Sequence, residues 1–504
     1  LLAGLTVVAS VSPLLTLAAF WQLKEWRLDR VQEHLGREGW TGVLFGSVRP
    51  LVLAAYAVAV LFSPDMWIGG VTMGALLVLA GLAGAQLLLR RQPHPVWTLK
   101  AKVIVAAGLL LNLLLSVILA RTAPVFLPLL PLLQAVIVTL CWLAFWPVDY
   151  ALKRRTFEKA IALRGRFSSL TAIGITGSVG KTTTKELIAH VLGDDALATP
   201  EHVNSEMGVA QWLLRALPSS EKKFLIVEMG AYRSGEIANL CRIVQPSLGV
   251  ITFIGTQHMA LFGSQEALIN AKGELLESLP EDGHAFLNGD CAPCAAMRTK
   301  CRCPVTVVGT GGANDLEAFD IEETPHGIRF TADGMSYTLP LHGTHNVVNV
   351  LLAIAVCRKA GLSADVIAKR LRTFVPPHRT FEVRTERGVT LLDDTYNASA
   401  ASFKAAIAWA RSQPFEQKTL LTDGIIELGE EHERTHRELG ASARDVFQRV
   451  IFLHEKTSED FAQGYGKPLE FLEKMTPDPV QPGSLLVCVG QMPPSVLRRL
   501  LPSA

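Results

Sequence analysis

Residues 177–183, Gly-Ser-Val-Gly-Lys-Thr-Thr, are the run in this 504-residue chain whose types and spacing most directly specify chemistry. Two glycines allow successive backbone N–H groups to turn toward one anion. Lys181 is long enough to reach the β- and γ-phosphates of a nucleotide, and the Thr182 hydroxyl is a ligand for Mg²⁺. The run sits where such a loop has to sit. An apolar strand over 170–176 precedes it, and 181–192 reads as a helix whose N-terminus adds positive potential. A strict P-loop would place glycine where Ile175 stands. A second apolar strand over 224–228 ends in Glu228, the arrangement by which P-loop enzymes hold the metal of their nucleotide. A chance glycine turn and a solvated strand end are the plain alternatives, and finding both features in register about fifty residues apart argues against them.

These residues need a scaffold, and the chain supplies two very different ones. Residues 1–150 carry 10 of the 48 Lys and Arg and 6 of the 46 Asp and Glu, so the first part is lipid-like and the remainder reads as an ordinary water-facing α/β protein. Uncharged apolar runs over 1–23, 66–89, 103–120 and 122–148 are each long enough to cross about 30 Å of hydrocarbon. A fifth, over 41–62, is interrupted by Arg49-Pro50 and forms a helical hairpin with the second run through Ser63-Pro64-Asp65. Basic residues alternate between loops. Lys24, Arg27, Arg30 and Arg37 follow the first run, Arg90, Arg91, Lys100 and Lys102 lie in the third loop, and Lys153, Arg154 and Arg155 follow the last, with Arg121 alone between. Five spans with the remainder of the chain in the cytoplasm satisfy the positive-inside rule. The expectation is a multi-pass protein of the cytoplasmic membrane, with the lipid bilayer as a partner. Residues 21–35, with Trp at the boundary and mixed charge, read as an interfacial helix. No acidic residue or His sits within a span, which argues against ion transport. The bundle is either an anchor alone or a holder of lipid-linked substrate. A formal net charge of +2 points to no nucleic-acid partner. The chain opens on Leu1 rather than Met, which implies residues ahead of it.

The eight cysteines show no extracellular-style framework and are expected to be reduced. Four of them, Cys291, Cys294, Cys301 and Cys303, fall within thirteen residues. They are a candidate structural Zn²⁺ site, although the spacing is tighter than in common zinc ribbons, and a Cys-rich helix–strand junction is the alternative.

Beyond the P-loop, several ordered segments together resemble the Mur ligase family, from about residue 171 to about 440, and within it the branch that adds D-alanyl-D-alanine to a cell-wall precursor peptide. They are GITGSVGKTTTKELIAHVL, HVNSEMGVAQWLLR, VEMGAYRSGEIANL, IGTQHMALFGSQEALINAKGELL, LHGTHNVVNVLLA, PPHRTFEV with LLDDTYNAS, and TDGIIELGEEHERTHRELG. The family's own P-loop accounts for Ile175. The resemblance implies ATP and Mg²⁺ as cofactors. It assigns Gly177, Ser178, Gly180, Lys181, Thr182 and Thr183 to the phosphates, and Asn346 and Asn349 to the adenine side. Arg379 and Asp394 fall at nucleotide-contacting positions. Thr182 and Glu228 would hold one Mg²⁺, and His258 with a carbamylated Lys272 a second. Lys181, Glu228, His258 and Lys272 are thereby the catalytic candidates. The implied reaction is amide formation: ATP phosphorylates a carboxylate and an amine displaces phosphate.

The implied architecture is a transmembrane helical region over 1–150, a parallel-sheet P-loop central domain over 160–375, and a smaller Rossmann-like α/β domain over 380–504, divided at Pro376-Pro377. Three departures qualify the carry-over. The family's uridine-gripping N-terminal domain has no counterpart, and the apolar helices stand in its place. Tyr232 and Ser205 replace family asparagines. The family's C-terminal Lys-Gly-Ser-Arg gives way to Val489, Gly490, Gln491 and Met492. The expected partners are therefore a lipid- or UDP-linked muropeptide and an amino acid or dipeptide. A membrane-associated amino-acid polymer ligase of the poly-γ-glutamate type is the second reading in the same class. A membrane ATPase outside the ligases is a third, against which stands the lack of an LSGGQ-type partner motif. A nucleotide-binding scaffold without chemistry is a fourth, against which stand the intact Lys181, Glu228, His258 and Lys272.

Overall fold

A computed structural model describes the whole chain except residues 39, 47, 90–91, 256–261, 263, 325, 397, 426–427, 429–430, 475–476 and 503–504. The chain forms two compact units, Leu1–Arg154 and Arg155–Ala504.

The first unit is helical: α1 (Leu2–Leu23), α2 (Leu28–Glu38), α3 (Trp40–Phe45), α4 (Arg49–Phe62), α5 (Ile68–Leu88), α6 (Leu99–Thr122) and α7 (Gln134–Gly165), the last running on into the second unit's sequence. Among the described residues, α1, the segment Asp65–Leu88, α6 and α7 are long and apolar enough to cross a membrane. The expected fifth run is broken. Pro50 has no N–H to donate and is accommodated in a helix's first turn, so α4 starts at Arg49 and has 14 residues, about 21 Å at 1.5 Å per residue. Helix α1 is central, with Leu14, Leu17, Ala18 and Trp21 buried, and Gly108 of α6 lets that helix approach Leu14 closely. Polar side chains inside the bundle satisfy one another. Asn112 and Gln134 exchange amide hydrogen bonds of 2.9 and 2.7 Å, and Tyr56 Oη meets Thr72 Oγ1 at 3.0 Å.

The second unit contains two sheets. The nine-stranded sheet has the order β2-β3-β1-β4-β5-β6-β7-β8-β9. Its strands are β1 (Thr171–Thr176), β2 (Ala196–Ala198), β3 (Phe224–Glu228), β4 (Leu248–Ile251), β5 (His284–Asn288), β6 (Val305–Gly309), β7 (Leu316–Thr324), β8 (Gly327–Ala332) and β9 (Met335–Leu339). Pairing is parallel from β2 to β7, but β8 and β9 close the sheet antiparallel. The expected parallel sheet is therefore a mixed one. Only two residues separate the end of β7 at Thr324 from the start of β8 at Gly327, and only Asp333 and Gly334 separate β8 from β9, too few for a crossover helix. Buried strand segments such as residues 225–227 are apolar throughout, as expected where helices cover both faces of a sheet. The six-stranded sheet has the order β10-β11-β15-β12-β13-β14, with only β10 (Glu382–Glu386) antiparallel. Its other strands are β11 (Val389–Asp394), β12 (Lys418–Thr422), β13 (Arg449–Phe452), β14 (Glu470–Phe471) and β15 (Leu485–Val489). It has its own core around Phe403, Phe447, Phe452 and Phe461.

Candidate functional site

Strands β1, β3 and β4 are adjacent and parallel, so their C-terminal ends open on one side of the sheet, where α/β proteins bind ligands. The loop leaving β1 carries residues 177–180, and helix α8 (Lys181–Leu192) begins immediately after it. Gly177 and Gly180 are both held at positive φ, +148° and +85°. A Cβ on Gly177 would lie 2.1 Å from Thr252 Oγ1, and one on Gly180 would lie 2.4 Å from Asn349 Oδ1. Both positions thus demand glycine for conformation and for space. Ser178 Oγ is buried and has no hydrogen-bond partner, a donor left for an anion in the loop.

Lys181 Nζ donates to Gly177 O (2.8 Å) and Ser178 O (3.0 Å). Burial pushes its pKa down, and the Glu228 charge opposes that shift. Thr182 Oγ1 donates to Glu228 Oε2 at 2.9 Å, and Asn204 Nδ2 donates to Glu228 Oε1 at 3.2 Å. The backbone N–H of Glu228 is held by Thr199 Oγ1 (3.1 Å), whose own carbonyl accepts from the buried Lys185 (2.7 Å). A hydroxyl and a carboxylate held side by side at the phosphate loop form an oxygen donor set of the kind Mg²⁺ takes.

Lys272 lies on helix Gln265–Glu277 and is 1% exposed, with Nζ 3.5 Å from Ala231 O. Burial first, and Lys181 second, bring its pKa down to about 7. From helix Val347–Lys359, Asn349 Nδ2 donates to Asn346 Oδ1 (2.9 Å), and Asn346 Nδ2 caps His342 O (2.9 Å). Asp394, at the end of β11, accepts from Phe381 N (3.2 Å) through Oδ1, while Oδ2 is buried without a partner. Burial raises its pKa to about 6.

Ser178, Gly180, Lys181, Thr182, Thr183, Glu228, Lys272, Asn346, Asn349 and Asp394 all line one cleft of about 440 Å³. Gly177 forms the start of the same loop. Arg379 is placed differently: its guanidinium donates to Thr395 Oγ1 (2.9 Å), Thr395 O (3.0 Å) and Met492 O, bracing the second sheet behind the cleft. His258 falls outside the described residues. Three further residues close the cleft. His202 Nδ1 meets Tyr396 Oη across the gap between the two sheets. His345 packs edge-on against Phe381, its ring centroid 4.8 Å away, and burial lowers its pKa to about 4. Each of the three sits in or beside a segment that carries the family resemblance, and His345 directly precedes Asn346.

The zinc expectation is corrected. Among the described residues no group of three or more His, Cys, Asp or Glu side chains comes together to hold a metal ion. Cys294 donates to Cys291 with the sulfurs 2.9 Å apart, while Cys301 turns to Met297 O. The four thiols belong to an apolar core layer. Their spacing brings them close in the chain without aiming them at one point.

Residues 175–357 match the model of the Mur ligase middle domain. The chain is 36% identical over 305 residues to the UDP-N-acetylmuramoyl-tripeptide–D-alanyl-D-alanine ligase of Bacillus subtilis, covering 59% of this chain and 65% of that protein. It is 32% identical over 318 residues to the protein of the same name from Escherichia coli, covering 60% and 68%. MurF from Acinetobacter baumannii superimposes with a TM-score of 0.61 at 25% identity, over 67% of this chain and 77% of that one. MurF from Thermotoga maritima in complex with ADP gives 0.60 at 25% identity, over 69% and 82%. The match thus spans just under two thirds of the Bacillus relative and just over two thirds of the Escherichia one. Identity at that level over that length, running through the phosphate loop and the Glu228 strand, means that the chain belongs to the Mur ligase family.

Proposed function

We propose that this protein is a membrane-anchored, ATP-dependent amide ligase that works on a cell-envelope precursor at the cytoplasmic face. The observation that carries the reading is the convergence in one cleft of Lys181, the Thr182–Glu228 pair, Lys272 and the Asn346–Asn349 pair. The similarity to proteins named as D-alanyl-D-alanine-adding ligases supports it.

In this reading Gly177, Ser178, Gly180 and Thr183 cradle the phosphates of ATP, and Asn346 and Asn349 lie on the adenine side. Asp394 faces the nucleotide from the second sheet, and Arg379, engaged with Thr395 and Met492, braces the wall behind it. Thr182 and Glu228 would hold Mg²⁺, which supplies positive charge at the phosphates. The substrate carboxylate attacks the γ-phosphorus, ADP departs, and an acyl phosphate results. The amine then adds to the acyl carbon and phosphate leaves. Both steps gather negative charge, which the Lys181 ammonium is placed to offset. With a pKa of about 7, Lys272 is substantially neutral at cytoplasmic pH. A neutral amine can add to the carbon of CO₂ and lose a proton. The resulting carbamate, with His258, would provide oxygen and nitrogen donors for a second Mg²⁺. Tyr232 and Gln491 line the same cleft and differ from the family's pattern, so the acceptor amine is the least constrained part of the reaction.

The membrane reading rests on the four long apolar helices and on loop charge. The basic residues at 24–37, Lys100 and Lys102, and those at 153–155 share one side only if α4 and α5 together cross out and back.

The test uses the full chain in detergent with ATP and either UDP-linked or lipid-linked muropeptide, each with a panel of amino acids and dipeptides. ADP release matched one-for-one by amide product is expected, and Lys181→Ala should abolish both. Product formation surviving Lys181→Ala, or ADP release without amide product across the panel, would overturn the ligase assignment.

A further inference from the structure

Arg49 is a cation among apolar helices, and among the described residues it meets neutral oxygens only. Its Nη2 donates to Ser12 Oγ (3.0 Å) and Gln86 Oε1 (2.9 Å). Among the described residues no carboxylate pairs with it. Ser12 is fully buried and also meets Gln86. Gln92 Nε2 joins the group by donating to Ser12 O (3.1 Å) and Thr16 Oγ1 (3.0 Å), while Gln92 Oε1 is buried and has no partner.

The depth of this cluster can be read from α1. Gln22 Nε2 donates to Val96 O at 2.9 Å, which sets Gln22 level with Trp97, and Trp97 is 48% exposed beside Lys100 and Lys102. Aromatic and basic residues of this kind mark a membrane boundary. Ser12 lies ten residues back along the same helix, about 15 Å at 1.5 Å per residue. Between these levels the chain from Gln92 to Thr98 is not helical, and Pro93, His94 and Val96 are exposed. Backbone without regular hydrogen bonds is tolerated at such depth only where protein buries it or where it borders a polar cavity. Helix α4 begins and α5 ends at this level, so the cluster lies at the floor of that segment.

A cation held within hydrocarbon needs a counter-charge. We propose that Arg49, Ser12, Gln86 and Gln92 form a binding site for the phosphate of a membrane lipid drawn in from the cytoplasmic leaflet. The guanidinium fork takes two phosphate oxygens, and Gln92 Oε1 accepts from a hydroxyl borne by the headgroup or by a bound water. The site rests on the membrane reading above. If the lipid is the diphosphate-linked precursor, the site also gives the bundle a role in gripping that substrate. A bulk anionic phospholipid offers the same phosphate chemistry.

The experiment is native mass spectrometry of the full chain released from bilayer nanodiscs of three compositions. These are phosphatidylcholine alone, phosphatidylcholine with phosphatidylglycerol, and phosphatidylcholine with a polyisoprenyl diphosphate. Retention of one phosphate lipid per chain is expected, enriched at least about tenfold over phosphatidylcholine. Arg49→Gln should remove that enrichment and Arg49→Lys should keep most of it, with helicity by circular dichroism unchanged in both. Enrichment in the third composition alone identifies the diphosphate lipid, and enrichment in both identifies any anionic lipid. Equal retention of all lipids by the wild type, or enrichment that survives Arg49→Gln, overturns the site. Release of the wild type from vesicles by alkaline carbonate overturns the membrane reading, and this site with it.

Discussion

The two units handle buried polarity in opposite ways. In the α/β unit, charged groups from separate elements converge: Lys181, Glu228, Lys272 and Asp394 face one cleft, where burial lowers the pKa of both lysines, Lys181 lowers that of Lys272 further, and the Glu228 charge opposes both shifts. In the helical unit, polar groups are dispersed and mostly satisfied pairwise by neutral partners, as with Asn112–Gln134 and Tyr56–Thr72. On the membrane reading proposed above, the difference follows from the medium. A cleft at the end of a sheet admits water and polar substrate, so charges can be concentrated where a reaction needs them. Helices without water around them have to settle each polar group locally. A residue that breaks its unit's habit is therefore informative, and Arg49 is such a residue in the bundle.

The sharpest way to break the comparison is to remove a converging charge. Lys272→Met should cost about 10²–10³-fold in kcat, the scale of losing a group that stabilises developing charge, while ATP affinity changes little. It should also alter the pH dependence of stability in a defined direction. The Lys272 pKa falls from 10.5 unfolded to about 7 folded. Between those values the unfolded chain binds the extra proton, so the wild type gains stability as pH rises from about 7 toward 10.5. Below pH 7 it carries the full cost of a charged, buried lysine. Lys272→Met should lose that slope, and denaturant titrations of both proteins from pH 6.5 to 10 would measure the difference. Parallel curves would mean that Lys272 is solvated in the folded protein.

An intermediate effect is expected at the loop. Gly180→Ala forces a Cβ into a backbone at φ +85°, 2.4 Å from Asn349 Oδ1. The strain should cost about 1–3 kcal/mol and displace Asn349 from Asn346. ATP affinity measured by calorimetry should therefore fall. An unchanged affinity would separate the glycine from the cradle.

How far these contrasts were legible in the sequence depended on whether a signal was local. The strand–loop–helix around Lys181 is coded within some twenty consecutive residues, and its observed elements, Thr171–Thr176 and Lys181–Leu192, follow the apolar run and the glycines closely. Strand Phe224–Glu228 was equally readable. The far wall of the cleft was not, because His202 and Tyr396 lie 194 residues apart in sequence and nothing in either segment encodes their meeting. The hairpins β7–β9 were missed because their half-exposed strands alternate polar and apolar residues and lack the apolar run of a buried parallel strand. The thiols failed in the other direction. Spacing brought Cys291, Cys294, Cys301 and Cys303 near one another, but only packing decides where sulfurs point.

The smallest predicted effect tests the bundle's side of the comparison. Asn112 and Gln134 are both fully buried and satisfy each other's amide groups between α6 and α7. Replacing Asn112 with Leu removes one partner and leaves the Gln134 amide with its single remaining bond, to Leu130 O. On the membrane reading the loss should be modest, about 0.6–1.7 kcal/mol, because a helix unfolded within a bilayer also finds partners for its polar groups. Gln134→Leu should cost about the same. The double variant should cost less than the two single ones added, since each orphan disappears with the other. Full additivity in detergent unfolding would mean that the two amides act independently. The dispersed pairs of the bundle would then be tolerated polar groups and would not hold its helices together.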